Sequence, residues 1–446
     1  MKQRGLTGQV KQKLIEKSIQ RKLKQHTQPE SSGLNIFSRN PSVGLDHFVD
    51  FTQHPAYRQI ELIREGSVQL DLQDPFFRPH QGAAGATTDI AGKRYINFAS
   101  YNYLNLSGDP RVNQASIDAT QQYGTSVSAS RMVSGERPVH ADLEQALASL
   151  YQVDAALAFV SGHATNVTVI GYLMQPGDLI LHDEWVHNSA MLGAQLSGAK
   201  RIAFRHNDTE HLESLLSQHR QQFKRVLILT EGLFSMDGDV PDLPRLVALK
   251  QQHHAWLMVD EAHSLGVLGA TGKGLAEHFN LPGKSVDIWM GTLSKSLAGC
   301  GGYIAGSQAL IDMLRYLCPG FLYSVGMPTG LAAAALLALE IMQQEPERTA
   351  QLANNAYAFK LSLQQAGFDT GQSLGKGLVP LITGGSVAAA RLSTDLFNAG
   401  INVQPVVYPA VPEKLARLRF FISAAHTPDQ LLHTVSILNE CAGKYV

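Results

Sequence analysis

Lys295 closes the stretch Asp287-Ile288-Trp289-Met290-Gly291-Thr292-Leu293-Ser294-Lys295. The stretch reads as a short buried strand entering a turn of small and hydroxyl residues. Alone, such a lysine is ordinarily a solvated surface charge. A second apolar strand, Ala255 to Val259, runs into Asp260, Glu261, Ala262, His263 and Ser264. Two strands that both end in ionisable residues point to a site at the carboxyl edge of an α/β sheet, where such folds bind ligands.

A lysine, an aspartate and a histidine at strand ends, with Ser/Thr/Gly loops, form the set that pyridoxal 5'-phosphate (PLP) needs. The amine bonds to the aldehyde. A carboxylate keeps the pyridine nitrogen protonated, so the ring accepts electrons. Hydroxyls and a helix N-terminus hold the phosphate. Ser161-Gly162-His163 follows a strand and opens a helix, and so offers such a cradle.

These groups need a scaffold. From Ala155 onward strand and helix patterns alternate, as in a mainly parallel sheet. The expected strands are Ala155–Val160, Asp178–Leu181, Arg201–Phe204, Val226–Thr230, Trp256–Val259, Asp287–Met290 and Gly302–Ala305. An alanine- and leucine-rich helix, Thr329 to Gln344, stops before Pro346. It leads to a smaller unit with strands near Leu378–Ile382, Ile401–Gln404 and Leu418–Ile422. Upstream, His47 to Pro75 reads as helix followed by an extended piece, Val68 to Leu72. Tyr95 to Ala99 reads as a strand. The expected division is an N-terminal arm (1–95), a large domain (96–328) and a small α+β domain (329–446).

The chain has 446 residues, 44% of them hydrophobic and 17% charged, which is ordinary for a globular protein with a large core. A net charge of -1 speaks against a globally nucleic-acid-binding protein. Cys300, Cys318 and Cys441 form neither a disulfide framework nor a metal-ligand spacing, which suits the cytoplasm. No metal site, transmembrane span, secretory signal or fixed-period repeat is expected. The first 24 residues carry eight Lys/Arg and one acid, Glu16. From Val10 to Leu23 the apolar positions follow helical spacing. A solvated arm is the plain reading. The sharper one is a basic amphipathic helix for an acidic surface: a carrier protein, a membrane face or a second subunit. Gln28 to Pro41 reads as a linker.

Gly291 to Lys295, with Asp260 to Ser264 upstream, resembles the α-oxoamine synthases, a family of fold-type I PLP enzymes. Several further motifs between Asn97 and Thr427 keep the family's order. The resemblance implies the fold-type I transferase architecture and a role for each matching residue. Lys295 bonds PLP and then removes the Cα proton. Asp260 pairs with the pyridine nitrogen, and His187 stacks on the ring face. His263 lies near the phenolic oxygen or the substrate carbonyl, with Ser235 beside the ring. Ser161, Gly162, His163 and Thr292 serve the phosphate, and Ser324 reaches that of the other subunit. Arg419 grips the substrate carboxylate. Tyr101, in Ser100-Tyr101-Asn102-Tyr103-Leu104, stands at the substrate entrance. The hydroxyl-rich run Gly124 to Arg131 lines the site near a partner subunit. Relatives often have an aromatic at His163, glycine at Asn105 and threonine at Val325.

The implied reaction is a decarboxylative condensation of an amino acid with an acyl thioester, carried by coenzyme A or an acyl-carrier protein, to an α-amino ketone. Serine, alanine and glycine all suit, with serine favoured. The Ser-Tyr-Asn-Tyr form is closest to serine palmitoyltransferases and polyketide assembly-line members. A homodimer with shared active sites is implied. The rivals are another fold-type I activity, such as an aldolase or aminotransferase, and a non-catalytic partner subunit. The presence of Lys295 argues against the last.

Overall fold

A computed structural model describes residues 45–443 and 445, apart from 71 and 73. The expected basic helix and linker lie outside the described residues. Three short strands come first: β1 (His80–Gln81), β2 (Thr87–Ile90) and β3 (Lys93–Asn97). Seven follow: β4 (Ala155–Phe159), β5 (Leu179–Asp183), β6 (Lys200–Phe204), β7 (Val226–Glu231), β8 (Trp256–Asp260), β9 (Ile288–Thr292) and β10 (Gly302–Gly306). The last four are β11 (Leu378–Ile382), β12 (Ile401–Asn402), β13 (Gln404–Val406) and β14 (Arg417–Phe421).

The central sheet has the order β4-β10-β9-β8-β7-β5-β6. The five strands from β9 to β6 are parallel, and β10 runs antiparallel to both β4 and β9. β5 and β7 are buried along their whole length. Near-continuous apolar runs are what a parallel sheet with both faces covered requires. Alternate residues serve the two faces. Ile228, Leu257, Val259 and Trp289 join one core with Ala335 and Leu339 of the helix Thr329–Gln344. Leu227, Met258, Ile288 and Met290 join the other, with Ile170 and Ile311. Both cores remove apolar surface from water, about 25 cal/mol per Å².

Parallel strands bring their carboxyl ends to one edge. Asp183, Glu231, Asp260 and Thr292 terminate β5, β7, β8 and β9 there, and Glu231 stands opposite Asp260 in the ladder.

Two local expectations are corrected. Val68 and Gln69 are helical, because the helix Pro55–Gln69 continues through them and the Leu70 amide still bonds Gly66 O. The segment near Ile401 is two strands. β12 pairs in parallel with β3, and β13 pairs with β14, so the chain changes sheets at Val403. Asn402 Nδ2 seals the junction by donating to Asn97 Oδ1 at 3.0 Å. Asn105, where relatives carry glycine, has φ +56°. That is the left-handed region, which asparagine tolerates better than most L-residues.

Candidate active site

One cavity at the carboxyl edge gathers Gly162, His163, Asn166, His187, Glu231, Asp260, His263, Thr292 and Lys295 in its wall. An adjoining chamber is lined by Ser100, Tyr101, Asn102 and Ser294, and it shares Lys295. Lys295 therefore sits where the two meet. Its ammonium lies 5.6 Å from the Tyr101 ring centroid. Burial pulls its pKa down to about 8, with Arg419 assisting and Asp260 and Glu231 opposing. A neutral amine is thus accessible near neutral pH.

Asp260, at the end of β8, is held at both oxygens. Asn166 Nδ2 donates to Oδ2 at 2.8 Å, and the Ala262 amide donates to Oδ1 at 2.9 Å. The same Asn166 amide reaches Ser189 Oγ at 3.0 Å. Beside Asp260, burial raises the Glu231 carboxyl to about 8. The Asp260 charge adds to that rise, and Lys295 opposes it.

Ser161 caps the helix Gly162–Leu173, its Oγ accepting from the Ala164 amide at 3.3 Å. First-turn amides lack intrahelical partners and carry the positive end of the dipole, so this turn suits an anion. A Cβ added at Gly162 would come 2.8 Å from Thr292 Oγ1. Only glycine lets the backbone approach Thr292 this closely, which leaves a cradle of amides and a hydroxyl. This donor set fits a phosphate, with Lys295 for an aldehyde and Asp260 for a ring nitrogen.

His187 caps the next helix, Asn188–Leu196, and its Nδ1 bonds Ser189 Oγ at 2.7 Å. Burial lowers its pKa. His163 stands edge-on to it, with ring centroids 6.3 Å apart. Arg419 enters from β14. Its guanidinium donates to Ser235 O at 3.1 Å and lies 4.7 Å from the Phe421 ring centroid. Burial lowers its pKa, while Tyr101 and Tyr103 oppose that. Ser235 itself is buried and meets the site through that carbonyl. Arg417, two residues before Arg419 on the same face, is locked to Asp237 at 2.7 Å.

The structure thus brings Gly162, His163, His187, Asp260, His263, Thr292 and Lys295 into one wall, with Tyr101 next door and Ser161 and Arg419 at its margins. Ser324 lies apart, after the short helix Pro319–Leu322, between exposed Tyr323 and Val325. The run Gly124 to Arg131 contributes nothing to the wall within one chain. Among the described residues no group of three or more His, Cys, Asp or Glu is arranged to hold a metal.

Glu231, Asn166 and Ser189 were not foreseen. A signal existed for Glu231, which ends an apolar strand as Asp260 does. Asn166 stands four residues after Gly162, on the same helix face. Ser189 had no signal.

Residues 93–438 match the family model for class I and II aminotransferases. An 8-amino-7-oxononanoate synthase of Symbiobacterium thermophilum is 44% identical over 342 residues, covering 77% of this chain and 87% of the relative. A serine palmitoyltransferase solved with PLP superposes with a TM-score of 0.84 at 29% identity, covering 89% of this chain and 98% of the other. The serine palmitoyltransferase of Sphingomonas wittichii gives 0.84 at 26%, covering 89% and 100%.

Proposed function

The chain belongs to the class I and II aminotransferase family and is, within it, a PLP-dependent α-oxoamine synthase; we propose that it joins a small amino acid, with alanine the first candidate, to an acyl thioester. It condenses the two with loss of carbon dioxide and release of the thiol, giving an α-amino ketone. The alanine reading follows from the name of the 8-amino-7-oxononanoate synthases, in whose product the amino-bearing carbon carries only a methyl group. Serine is the second reading, supported by the likeness to serine palmitoyltransferases.

When bound, PLP supplies an aldehyde and a conjugated ring that accepts the electron pair left on Cα. The residues named above suit that group. Gly162, His163 and Thr292 hold its phosphate, with Ser161 fixing the turn. Asp260, oriented by Asn166, would pair with its ring nitrogen, while His187 and Ser235 would stand beside the ring. Arg419 takes the substrate carboxylate by two parallel N–H bonds and so sets the direction of the Cα–H bond. Lys295 Nζ, its pKa lowered to about 8 chiefly by burial, removes the Cα proton. His263 donates to an oxygen in the cleft. Tyr101 screens the mouth from water. The single observation that carries this reading is the convergence of Lys295, Asp260, His187 and His263 in one cavity.

Two copies sharing their sites is part of the proposal, with Ser324 presented to the partner's phosphate. Exposed Tyr323 and Val325 beside Ser324, with exposed Val133, support it. The acyl donor is proposed to arrive on an acidic carrier protein, guided by the eight Lys/Arg of the first 24 residues, with coenzyme A as the alternative donor. Among the described residues no helix is long and apolar enough to cross a membrane. Cys300, Cys318 and Cys441 form no disulfide among the described residues, which supports a reducing compartment, the cytoplasm.

The test supplies carboxyl-labelled alanine, serine or glycine with an acyl thioester on coenzyme A or on carrier protein. Release of labelled carbon dioxide that needs both substrates supports the reading. Amino-group transfer without an acyl donor contradicts it.

A further inference from the structure

Tyr103 and His263 are joined by a buried hydrogen bond. The phenol oxygen and Nδ1 lie 2.8 Å apart across 160 residues of chain. Tyr103 is fully buried, and among the described residues His263 is its hydroxyl's one hydrogen-bond partner. Two arrangements of protons are possible. If Nδ1 carried the imidazole proton, it would donate to the phenol, and the tyrosine's own proton would be buried without an acceptor. Such an orphan costs about 1–3 kcal/mol. If the phenol donates, Nδ1 accepts, and the imidazole proton resides on Nε2. That nitrogen has no partner among the described residues, and His263 lines the cavity beside Lys295 and Asp260.

Both groups keep the protonation this requires. Burial pushes the Tyr103 phenol far up, so it stays a donor. Burial, then Lys295, Arg419 and His187, push His263 well down, so it stays neutral. The ring is also fixed in plane. Phe421 stacks on it at 6.1 Å between centroids, and Tyr101 meets it edge-on at 5.9 Å.

We propose that Tyr103 is a positioning residue that locks His263 as its Nε2–H tautomer, so that the histidine offers the cleft a proton donor and not a base. The inference rests on the reading of this cavity as the active site. It divides the chemistry: Lys295 alone removes a proton, and His263 stabilises negative charge on an oxygen.

The experiment is nitrogen NMR of PLP-loaded protein labelled in its histidine rings, with His263 assigned by loss of its signal in His263→Asn. Two-bond couplings tell which ring nitrogen bears hydrogen, without turnover. The wild type shows Nε2–H from pH 6 to 8. Tyr103→Phe shows the Nδ1–H form or a mixture, with kcat down about tenfold and the amino acid KM unchanged. An Nδ1–H tautomer or an imidazolium in the wild type overturns the proposal, and that spectrum decides even if the variant does not fold. An unchanged tautomer in Tyr103→Phe overturns it too. Full activity in His263→Asn is a separate outcome: it removes the active-site reading, and with it the catalytic half of the proposal.

Discussion

Asn166 Nδ2 and Asp260 Oδ2 lie 2.8 Å apart, joining the helix that opens at Gly162 to the end of β8. The bond links the two halves of the proposed cofactor cradle, the Gly162 turn and the Asp260 carboxylate, through one side chain. Asn166→Ala leaves a buried carboxylate oxygen short of a donor, at about 1–3 kcal/mol. The expected result is a PLP dissociation constant raised about tenfold or more, read by absorbance titration. An unchanged constant contradicts the role.

Arg419 is proposed to grip the substrate carboxylate with a planar fork, which an ammonium cannot copy. Arg419→Lys therefore raises the amino acid KM, by about ten- to hundredfold for a lost charge-assisted bond of about 1.5–3 kcal/mol. The KM for the acyl thioester stays as it was. Steady-state kinetics with each substrate varied in turn checks the split.

Lys295 has its pKa lowered to about 8, chiefly by burial. Only the neutral amine attacks an aldehyde, so uptake of PLP by cofactor-free protein accelerates as pH rises through about 8 and then levels off. An exposed lysine would keep accelerating to about pH 10. Stopped-flow absorbance across pH 6.5–9.5 distinguishes the two profiles.

His206 holds Asp183 at 2.9 Å and Asp239 at 2.8 Å. Burial disfavours its charge, but the two carboxylates outweigh that and raise its pKa to about 9. The folded value exceeds the unfolded value of about 6.5. The folded state thus binds the proton more tightly, and this stabilisation is complete below pH 6.5 and fades as pH rises through 9. Urea unfolding of wild type and His206→Asn at pH 6 and pH 9.5 should show the larger difference at pH 6.

Arg417 and Asp237 are both buried and paired at 2.7 Å, with Arg417 two residues before Arg419 on the same face of β14. Arg417→Met leaves the carboxylate unpaired and should destabilise by about 3–5 kcal/mol. Denaturant titration checks this. Asp237→Asn in the same background should recover part of the loss.

Much of this was legible in the sequence because periodicity reports burial. The apolar runs ending at Asp260 and Thr292 are the central strands, and their polar termini face one edge as expected. The role of β12 was not legible. Two residues, Ile401 and Asn402, cannot signal that they pair with β3 some 300 residues earlier. Nothing local to Asp237 marks it as the partner of a buried guanidinium, and only the fold brings Arg417 to it. Glu231 carries the same signature as Asp260, yet its meaning depends on the ladder that sets them side by side. The bond from Tyr103 to His263 joins two distant segments and leaves no local trace.

Borohydride reduction of the PLP-loaded protein, followed by proteolysis and mass spectrometry, tests the proposed bond between Lys295 and the cofactor. The expected product is a phosphopyridoxyl group on Lys295, lost in Lys295→Ala. A label on another lysine, or an unlabelled wild type, would contradict it.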